Sequence, residues 1–527
     1  MKTILSVLAV VLCAICSPFA QAPAIQWQNT IGGDSDDKLC SLQQTTDGGY
    51  ILGGFSFSDI SGDKSENHQG ESDYWVVKLN DSGAVQWQNT IGGTSFDVLF
   101  SLQQTTEGGY ILGGYSSSDI SIDKTENSLG GRDFWVVKLN GTGNIQWQNT
   151  IGGSGSDILR AIQLTSDGGY ILGGNSDSNI SGDKTENSLG DTDYWLLKLD
   201  ATGIIQWQKT IGGNLQEYLH AVQQTADGGY ILGGFSYSNI SGDKTEDSNG
   251  NGDYWVVKLD STGNIQWQNS IGGSEDDVFS FSSLQQTVDG GFILGGYSYS
   301  NISGDKTENS WGKSDYWVVK LDATGDIQWQ NDIGGTENEV LFSLQQTADG
   351  GYITGGYSLS NASGDKTENN WGDSDYWVVK LDSIGQIQWQ NTIGGGLSDQ
   401  FRCLQQTADG GYILGGHSDS SISGDKTENS NGESDLWIIK LAPEFVPTKE
   451  TSTALKAMAI YPNPTTDALF VNCETATTLC LQNSFGQILS TQTIQGQGKI
   501  DLSRYPNGIY FLVEMETGVG HKILKNK

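Results

Sequence analysis

The stretch Ile25-Gln-Trp-Gln-Asn-Thr-Ile-Gly-Gly33 decides the fold because the chain repeats it, with its Trp falling at 27, 87, 147, 207, 267, 329 and 389. The spacing is 60 residues except for one step of 62, where Ser280 and Phe281 read as the lengthening of a loop. A second Trp, in segments of Asp-Tyr-Trp type, recurs at 75, 135, 195, 255, 317, 377 and 437. The two series account for fourteen of the sixteen tryptophans. A fixed period of this size marks an array of one supersecondary unit, so each unit is read once for all seven.

Working outward from the repeated stretch, each period divides into four short strands. Strand a runs from Cys40 to Thr45 and ends in Asp47-Gly48-Gly49, a tight-turn signal because these residues accept positive φ. Strand b is Tyr50 to Ser56. Strand c, Asp73 to Leu79, sets Tyr74, Val76 and Lys78 on one face and Trp75, Val77 and Leu79 on the other. The turn Asn80-Asp-Ser-Gly83 leads to strand d, Val85 to Ile91, which carries Trp87. Four antiparallel strands repeated seven times predict a seven-bladed β-propeller. A linear β-solenoid is the alternative, but it would need caps that the sequence does not supply. The ends favour the ring. The chain begins with a lone strand d at 25–33, and the last repeat, about 402–441, has a, b and c and then runs into Ala442-Pro-Glu-Phe-Val-Pro447. The first strand is therefore expected to complete the last blade. The fourteen tryptophans read as packing between blades, each burying roughly 150–250 Å².

Strand polarity places the short a–b and c–d turns on one face of the ring. The long b–c loops, such as Asp59 to Ser72, and the variable d–a loops share the other, which makes it the expected binding face. Within the b–c loop one position changes between copies: Gln69, Leu129, Leu189, Asn249, Trp311, Trp371 and Asn431. Trp311 and Trp371 are candidates for stacking on a sugar or anchoring a protein partner, against the alternative that each covers its own loop. The same loop repeats a run of oxygen side chains, as in Asn301-Ile-Ser-Gly-Asp-Lys-Thr-Glu-Asn309. Asp305 and Asp365 are thus candidate calcium ligands, against the alternative of plain turn chemistry, which the Lys within the run and the scarcity of carboxylates favour. The glutamines at 43, 103, 163, 223, 285, 345 and 405 on strand a predict a hydrogen-bonded ring near a central channel.

The segment Leu321-Asp-Ala-Thr-Gly-Asp-Ile-Gln-Trp329 resembles the tryptophan-docking segment of quinoprotein propellers. The resemblance covers the c–d turn and strand d of each blade and supports the blade geometry. Those enzymes also set a vicinal Cys pair against their quinone, and this chain contains no Cys-Cys, so no cofactor is expected beyond the calcium alternative. Catalysis finds little support elsewhere. His68, His220, His417 and His521 fall at different places in their units, and no Gly-x-Ser-x-Gly elbow or phosphate loop occurs. No catalytic residue is assigned; a polysaccharide-degrading enzyme is the remaining catalytic alternative.

Composition sets the partners and the compartment. The chain has 527 residues, 72 of them Gly, and a net charge of −35. So acidic a surface repels phosphate backbones, which excludes a nucleic-acid partner. Lys2, the apolar run Ile4 to Ile15 and the small residues Ala20, Ala22 and Ala24 read as a signal peptide over residues 1–24. No other stretch is apolar for long enough to span a bilayer as a helix. Four cysteines remain after it, Cys40, Cys403, Cys473 and Cys480, too few for a disulfide scaffold.

After a linker at 442–455 the composition changes. Residues 456–527 contain Ile460-Tyr-Pro-Asn-Pro464, Phe485-Gly486-Gln487, Tyr505-Pro-Asn-Gly-Ile-Tyr510 and a basic end from Lys522 to Lys527. This resembles the type A C-terminal sorting domain of the type IX secretion system of Bacteroidetes, with Tyr461, Pro462, Asn463, Pro464, Gly486, Gly508 and Tyr510 as its signal residues. The resemblance implies a small Ig-like β-sandwich and handling by the type IX machinery. It also implies passage through the periplasm and a secreted or outer-membrane-surface destination. The alternating runs Ala468–Cys473, Thr478–Gln482 and Ile509–Glu514 separately predict β-structure, with Cys473 and Cys480 on successive strands. The expectation is therefore an all-β protein: a seven-bladed propeller over 25–441, then the sorting domain. It is read as an exported, non-enzymatic protein that binds a glycan or a surface protein through its long-loop face. The alternative is a structural repeat protein without a specific ligand.

Overall fold

A computed structural model describes residues 21–444, 459–483, 488–514 and 520–526. The signal-peptide reading at 1–20 and most of the linker lie outside the described residues. The chain divides into two compact units, Met1–Pro443 and Glu444–Lys527.

The first unit consists of seven four-stranded antiparallel sheets. In the first blade strands a to d are Asp37–Gln44, Tyr50–Ser56, Asp73–Leu79 and Val85–Ile91, hydrogen-bonded in that order. The last blade takes its a, b and c from Asp399–Gln406, Tyr412–Ser418 and Asp435–Leu441, and its fourth strand from Ile25–Ile31 at the other end of the sequence. That strand pairs antiparallel with Asp435–Leu441, Thr30 opposite Trp437 and Gln28 opposite Ile439. Each strand a packs beside the next, and the seventh packs beside the first, which closes the ring.

The tight turns follow from their residues. At Asp47-Gly48-Gly49, Gly48 adopts φ 84°, and a side chain at Gly49 would meet the carbonyl of Leu79 at 2.2 Å. The Asp47 carboxylate accepts from Thr45 and Gly49 and pairs with the buried Lys78 at 3.0 Å. One acidic residue thus fixes the turn and neutralises a lysine of strand c.

The strand-c tryptophans are fully buried, whereas those of strand d are half-buried except Trp389, which packs in a cluster with Ala22 and Ile25. The difference follows from position, because strand d is the outermost of each sheet. Blades lock through strand c: the Tyr74 ring lies 4.8 Å from Trp135 of the next blade and its hydroxyl donates to the Trp135 carbonyl at 3.0 Å. The predicted glutamine ring is present. Gln43 Oε1 accepts the Gln104 N–H of the next blade, and Gln103, Gln163, Gln223, Gln285, Gln345 and Gln405 do the same in turn, all at 2.6–2.7 Å. The side chain of Gln104 returns the bond by accepting from Thr46 of the blade before it at 2.9 Å.

The two extra residues near Ser280 do not lengthen a loop. They extend strand a of the fifth blade to Asp277–Gln286, with a register break between Phe279 and Leu284 and Ser282 at φ 51°. A strand can take up an insertion as a bulge when one edge is unpaired, as the inner edge of strand a is at the channel.

The second unit is a five-stranded sheet: Ala459–Tyr461, Ala468–Asn483, Ile488–Asp501, Gly508–Glu514 and Gly520–Lys525. The runs read as two strands, Ala468–Cys473 and Thr478–Gln482, are one 16-residue strand, because no turn residue separates them; a register break between Cys473 and Thr477 marks the join. Leu469 and Val471 from its first half share one core with Leu479 and Leu481 from its second, and all five strands belong to one sheet where two packed sheets were expected. Cys473 and Cys480 therefore sit on the same strand, and both are free thiols.

Candidate functional site: the mouth of the central channel

The seven a strands enclose a cavity of about 600 Å³ along the ring axis, a size suited to a small ligand or the end of a larger one. Every strand a breaks register at one residue, as between Leu39 and Ser41, so the bulged residue and the glutamine three positions on (four in the fifth blade) both line the channel. Near the short-turn end this face is the uniform glutamine belt. Toward the long-loop end it is the row Cys40, Phe100, Arg160, His220, Phe281, Phe342 and Arg402. These positions carry four residue types in seven copies, although the glutamine that follows in strand a is the same in all of them.

The row is organised around cations and aromatic rings. The Arg160 guanidinium lies 4.3 Å from the Phe100 centroid and 5.4 Å from that of Phe281. Phe100 and Phe281 are parallel at 6.4 Å, although they come from the second and fifth blades, and His220 stacks on Phe281 at 4.0 Å. Every strand a bulges at this position, and in the fifth blade the insertion widens the bulge to Phe279–Leu284 with Phe281 inside it. Arg402 lies 4.6 Å from the Phe342 ring. Neither Arg160 nor Arg402 takes part in an ion pair among the described residues, and the Arg160 Nε is buried without a hydrogen-bond partner. His417, almost wholly buried, also lines the cavity, and its Nδ1 has no partner. Among the described residues no Asp or Glu lines the cavity.

Burial and the field of Arg160 push His220 down to about 3, so its ring is neutral at ordinary pH. Its Nδ1–H donates to the Phe279 carbonyl at 2.7 Å, which leaves Nε2 as an acceptor. Burial lowers Arg160 to about 10, still charged near neutrality, and raises the Cys40 thiol to about 11. One step nearer the loops the rings continue: Phe55 on Phe57, Tyr218 on Phe235, Tyr297 on Tyr299, Phe342 on Tyr357. Tyr299 is 43% exposed. The channel mouth therefore presents a cationic floor inside an aromatic collar.

Trp311 and Trp371 do not line this cavity. They lie in the fifth and sixth blades, 57% and 59% exposed, and each reaches over its neighbour. The indole N–H of Trp311 bonds Asp365, and that of Trp371 bonds Asp425. Trp311 lies against Gly364, where an added Cβ would meet the ring at 2.9 Å. The equivalent residues bridge the same gap: Asn249 Nδ2 donates to Asp305 at 2.9 Å, Gln69 Nε2 to Asp123 at 2.7 Å, and the Leu129 methyl lies against Gly182. The variable position is a clasp between blades, and in two of them the clasp is an indole with one face open to solvent.

Asp305 and Asp365, the calcium candidates, receive N–H donors. Asp305 accepts from Gly272 at 3.2 Å and from Asn249, and Asp365 from Gly334 at 3.3 Å and from Trp311. The lysine of the same loop is held within it by neutral groups: Lys366 donates to the Glu368 carbonyl and the Thr392 hydroxyl and lies 5.8 Å over the Trp377 ring. Among the described residues no group of three or more His, Cys, Asp or Glu side chains is placed to hold a metal ion.

In the second unit, Asn463 is tied to the last strand at both ends of its amide, donating to the Lys522 carbonyl and accepting from Leu524. Tyr461 stacks on Phe470, and the Tyr510 hydroxyl donates to the Pro506 carbonyl at 2.6 Å. Pro462 and Pro464 flank Asn463, and Gly508 opens the strand that carries Tyr510. Gly486 lies outside the described residues.

The molecule is thus a seven-bladed propeller followed by a small sheet domain. Residues 459–525 match the family described as the secretion system C-terminal sorting domain. This chain is a type IX-sorted propeller protein, exported to the cell surface or the medium. Among curated proteins, the regulatory protein FlaEY of Caulobacter vibrioides is 25% identical over 180 residues, covering 33% of this chain and 18% of FlaEY. Among solved structures, a protein of unknown function from Dyadobacter fermentans aligns over 80% of this chain and 99% of its own, with 11% identity and a TM-score of 0.42. The Pan2 WD40 domain of Neurospora crassa aligns over 80% and 97%, with 10% identity and a TM-score of 0.41. No described helix is long and apolar enough to cross a membrane.

Proposed function

We propose that this protein is a non-catalytic binding propeller that takes a glycan or a surface protein on its long-loop face, at the mouth of the central channel. In this reading the signal peptide delivers it to the periplasm of a Bacteroidetes-type cell, and the sorting domain hands it to the type IX machinery. One observation carries the reading. In repeats alike enough to share whole nonapeptides, the row that converges on the channel has diverged to Cys, Phe, Arg, His, Phe, Phe and Arg. A purely structural ring has no need to vary there, since the belt below it is uniform. The absence of a carboxylate from the cavity lining, a neutral His220 and a protonated Cys40 thiol favour binding over acid–base or nucleophilic chemistry.

The experiment is a glycan and polysaccharide array followed by a pull-down from the cell surface, using the mature chain and the variant Phe281→Ala with Tyr299→Ala. Binding lost in the variant at an unchanged melting temperature supports the channel mouth. Binding retained there but lost in Trp311→Ala with Trp371→Ala would move the site to the clasps. Turnover of any polysaccharide would overturn the non-catalytic reading.

A further inference from the structure

Resting on that reading, the geometry points to the ligand's chemistry: the channel mouth takes the carboxylate-bearing end of an otherwise neutral saccharide, such as a terminal uronic acid. The argument begins with charge. The chain carries 28 basic against 63 acidic side chains, and only four of the basic ones are arginines: Arg132, Arg160, Arg402 and Arg504. Two of the three in the propeller, Arg160 and Arg402, line the cavity; the third, Arg132, is exposed and lies 4.9 Å from the ring of Tyr115, which is itself 6.0 Å from that of Phe100. The lysines behave differently. Most of those in the propeller are buried with carboxylates or indoles as fixed partners, whereas Arg160 and Arg402 have rings against them and no anion.

A guanidinium half-withdrawn from water without a counter-ion is costly, and stacking on phenyl rings offsets only part of that cost. An entering carboxylate would supply the missing partner, and a guanidinium can take it with two parallel hydrogen bonds. The unpartnered Nδ1 of the buried His417 adds a further polar group at the same cavity.

The surroundings restrict the anion. The loops that ring the mouth are acidic, with Asp34, Asp36 and Asp59 in the first blade alone. A polyanion would meet repulsion along its length before its end reached the arginines, whereas a single negative tip on a neutral body would not. The body is best read as a sugar chain. The collar offers exposed ring faces such as Tyr299, on which sugar rings stack. A peptide would add to the inner edge of strand a, but that edge is already capped: Gln44 N–H donates to Gln405, and Leu102 N–H to Ser41 Oγ at 3.2 Å.

The test is calorimetric titration of the mature chain with cellobiose and with the same disaccharide ending in glucuronic acid. The expected result is at least tenfold tighter binding of the acid, a preference that shrinks in 0.5 M salt. Arg160→Met with Arg402→Met should erase the preference at an unchanged melting temperature and leave the weak neutral binding in place. Should the double variant fail to fold, Arg402→Gln alone should narrow the preference, and Arg160→Lys should retain only part of it. Equal affinity for the two disaccharides, insensitive to the arginine variants, would overturn the anion inference and leave the channel-mouth reading standing. Absence of binding by either disaccharide, with a neutral peptide binding through its free C-terminal carboxylate and not when amidated, would overturn the saccharide. Tighter binding of polygalacturonate than of the single-acid disaccharide, chain for chain, would overturn the argument from the acidic rim.

Discussion

At the scale of single residues, the a–b turns are a charge-balanced structural device. Lys320 is buried with one carboxylate, Asp289, at 2.9 Å, and six equivalents stand in the other blades. Asp289→Asn should leave an ammonium without its anion and cost about 1–2 kcal/mol, since Asp289 itself remains half in water; chemical denaturation measures it. The buried acids at the blade joints work the other way. Burial and the neighbouring carboxylates of Asp277 and Asp399 push Asp253 and Asp375 up to about 7, and Asp73 and Asp435 reach about 6. Their unfolded values are ~3.9, so between these limits the folded protein holds protons that the unfolded chain releases, and stability falls as pH rises. His220 and His417, held neutral by burial, oppose this below ~6.5, but the raised acids outnumber them. The melting temperature should therefore drop from pH 5 to pH 8, and Asp253→Asn with Asp375→Asn should flatten the slope. A melting temperature that rises over this interval would contradict the assignment.

At the scale of elements, the strand Ile25–Ile31 and the glutamine belt carry the closure. Deleting residues 25–33 removes the partner of Asp435–Leu441 and uncovers one edge of the last sheet. The variant should lose its cooperative melt or melt far lower, read by circular dichroism; an unchanged curve would refute the ring. The belt predicts a smaller effect. Gln285→Ala leaves the Gln346 N–H without its acceptor and should cost about 1–3 kcal/mol. The bulged strand Asp277–Gln286 is a different kind of element, because its insertion sets Phe281 in the channel lining and Ser280 against the next blade, where its hydroxyl donates to the Leu341 carbonyl. Removing Ser280 and Phe281 to restore the common spacing should leave stability near that of the parent and weaken ligand binding.

At the scale of the whole molecule, the two units divide the work. Truncation before residue 456 should leave the propeller's melting unchanged and stop delivery to the cell surface, checked by fractionating cells that express each form. Much of this organisation is legible in the residues. The period of the Trp series gives seven units, Asp-Gly-Gly gives the hairpins, and a lone strand at one end facing a three-stranded repeat at the other gives the ring. These signals are local and sevenfold redundant, so reading the sequence recovers them. The site is not local. Cys40, Phe100, Arg160, His220, Phe281, Phe342 and Arg402 lie about 60 residues apart, and in any one repeat the residue looks like a tolerated change beside a Leu-Gln-Gln that five of the seven copies share. The insertion at Ser280 reads as loop growth because nothing local tells a bulge from a longer turn. Trp311 and Trp371 drew attention as rare residues in a loop, but the position they occupy is an inter-blade clasp. What the sequence by itself determined is the array, its closure and the sorting domain, since hydrophobic period, turn chemistry and motif order act within one repeat. What only the tertiary structure decided is which variable residues meet, because closing a ring brings seven distant side chains to one axis and leaves two arginines there without an anion.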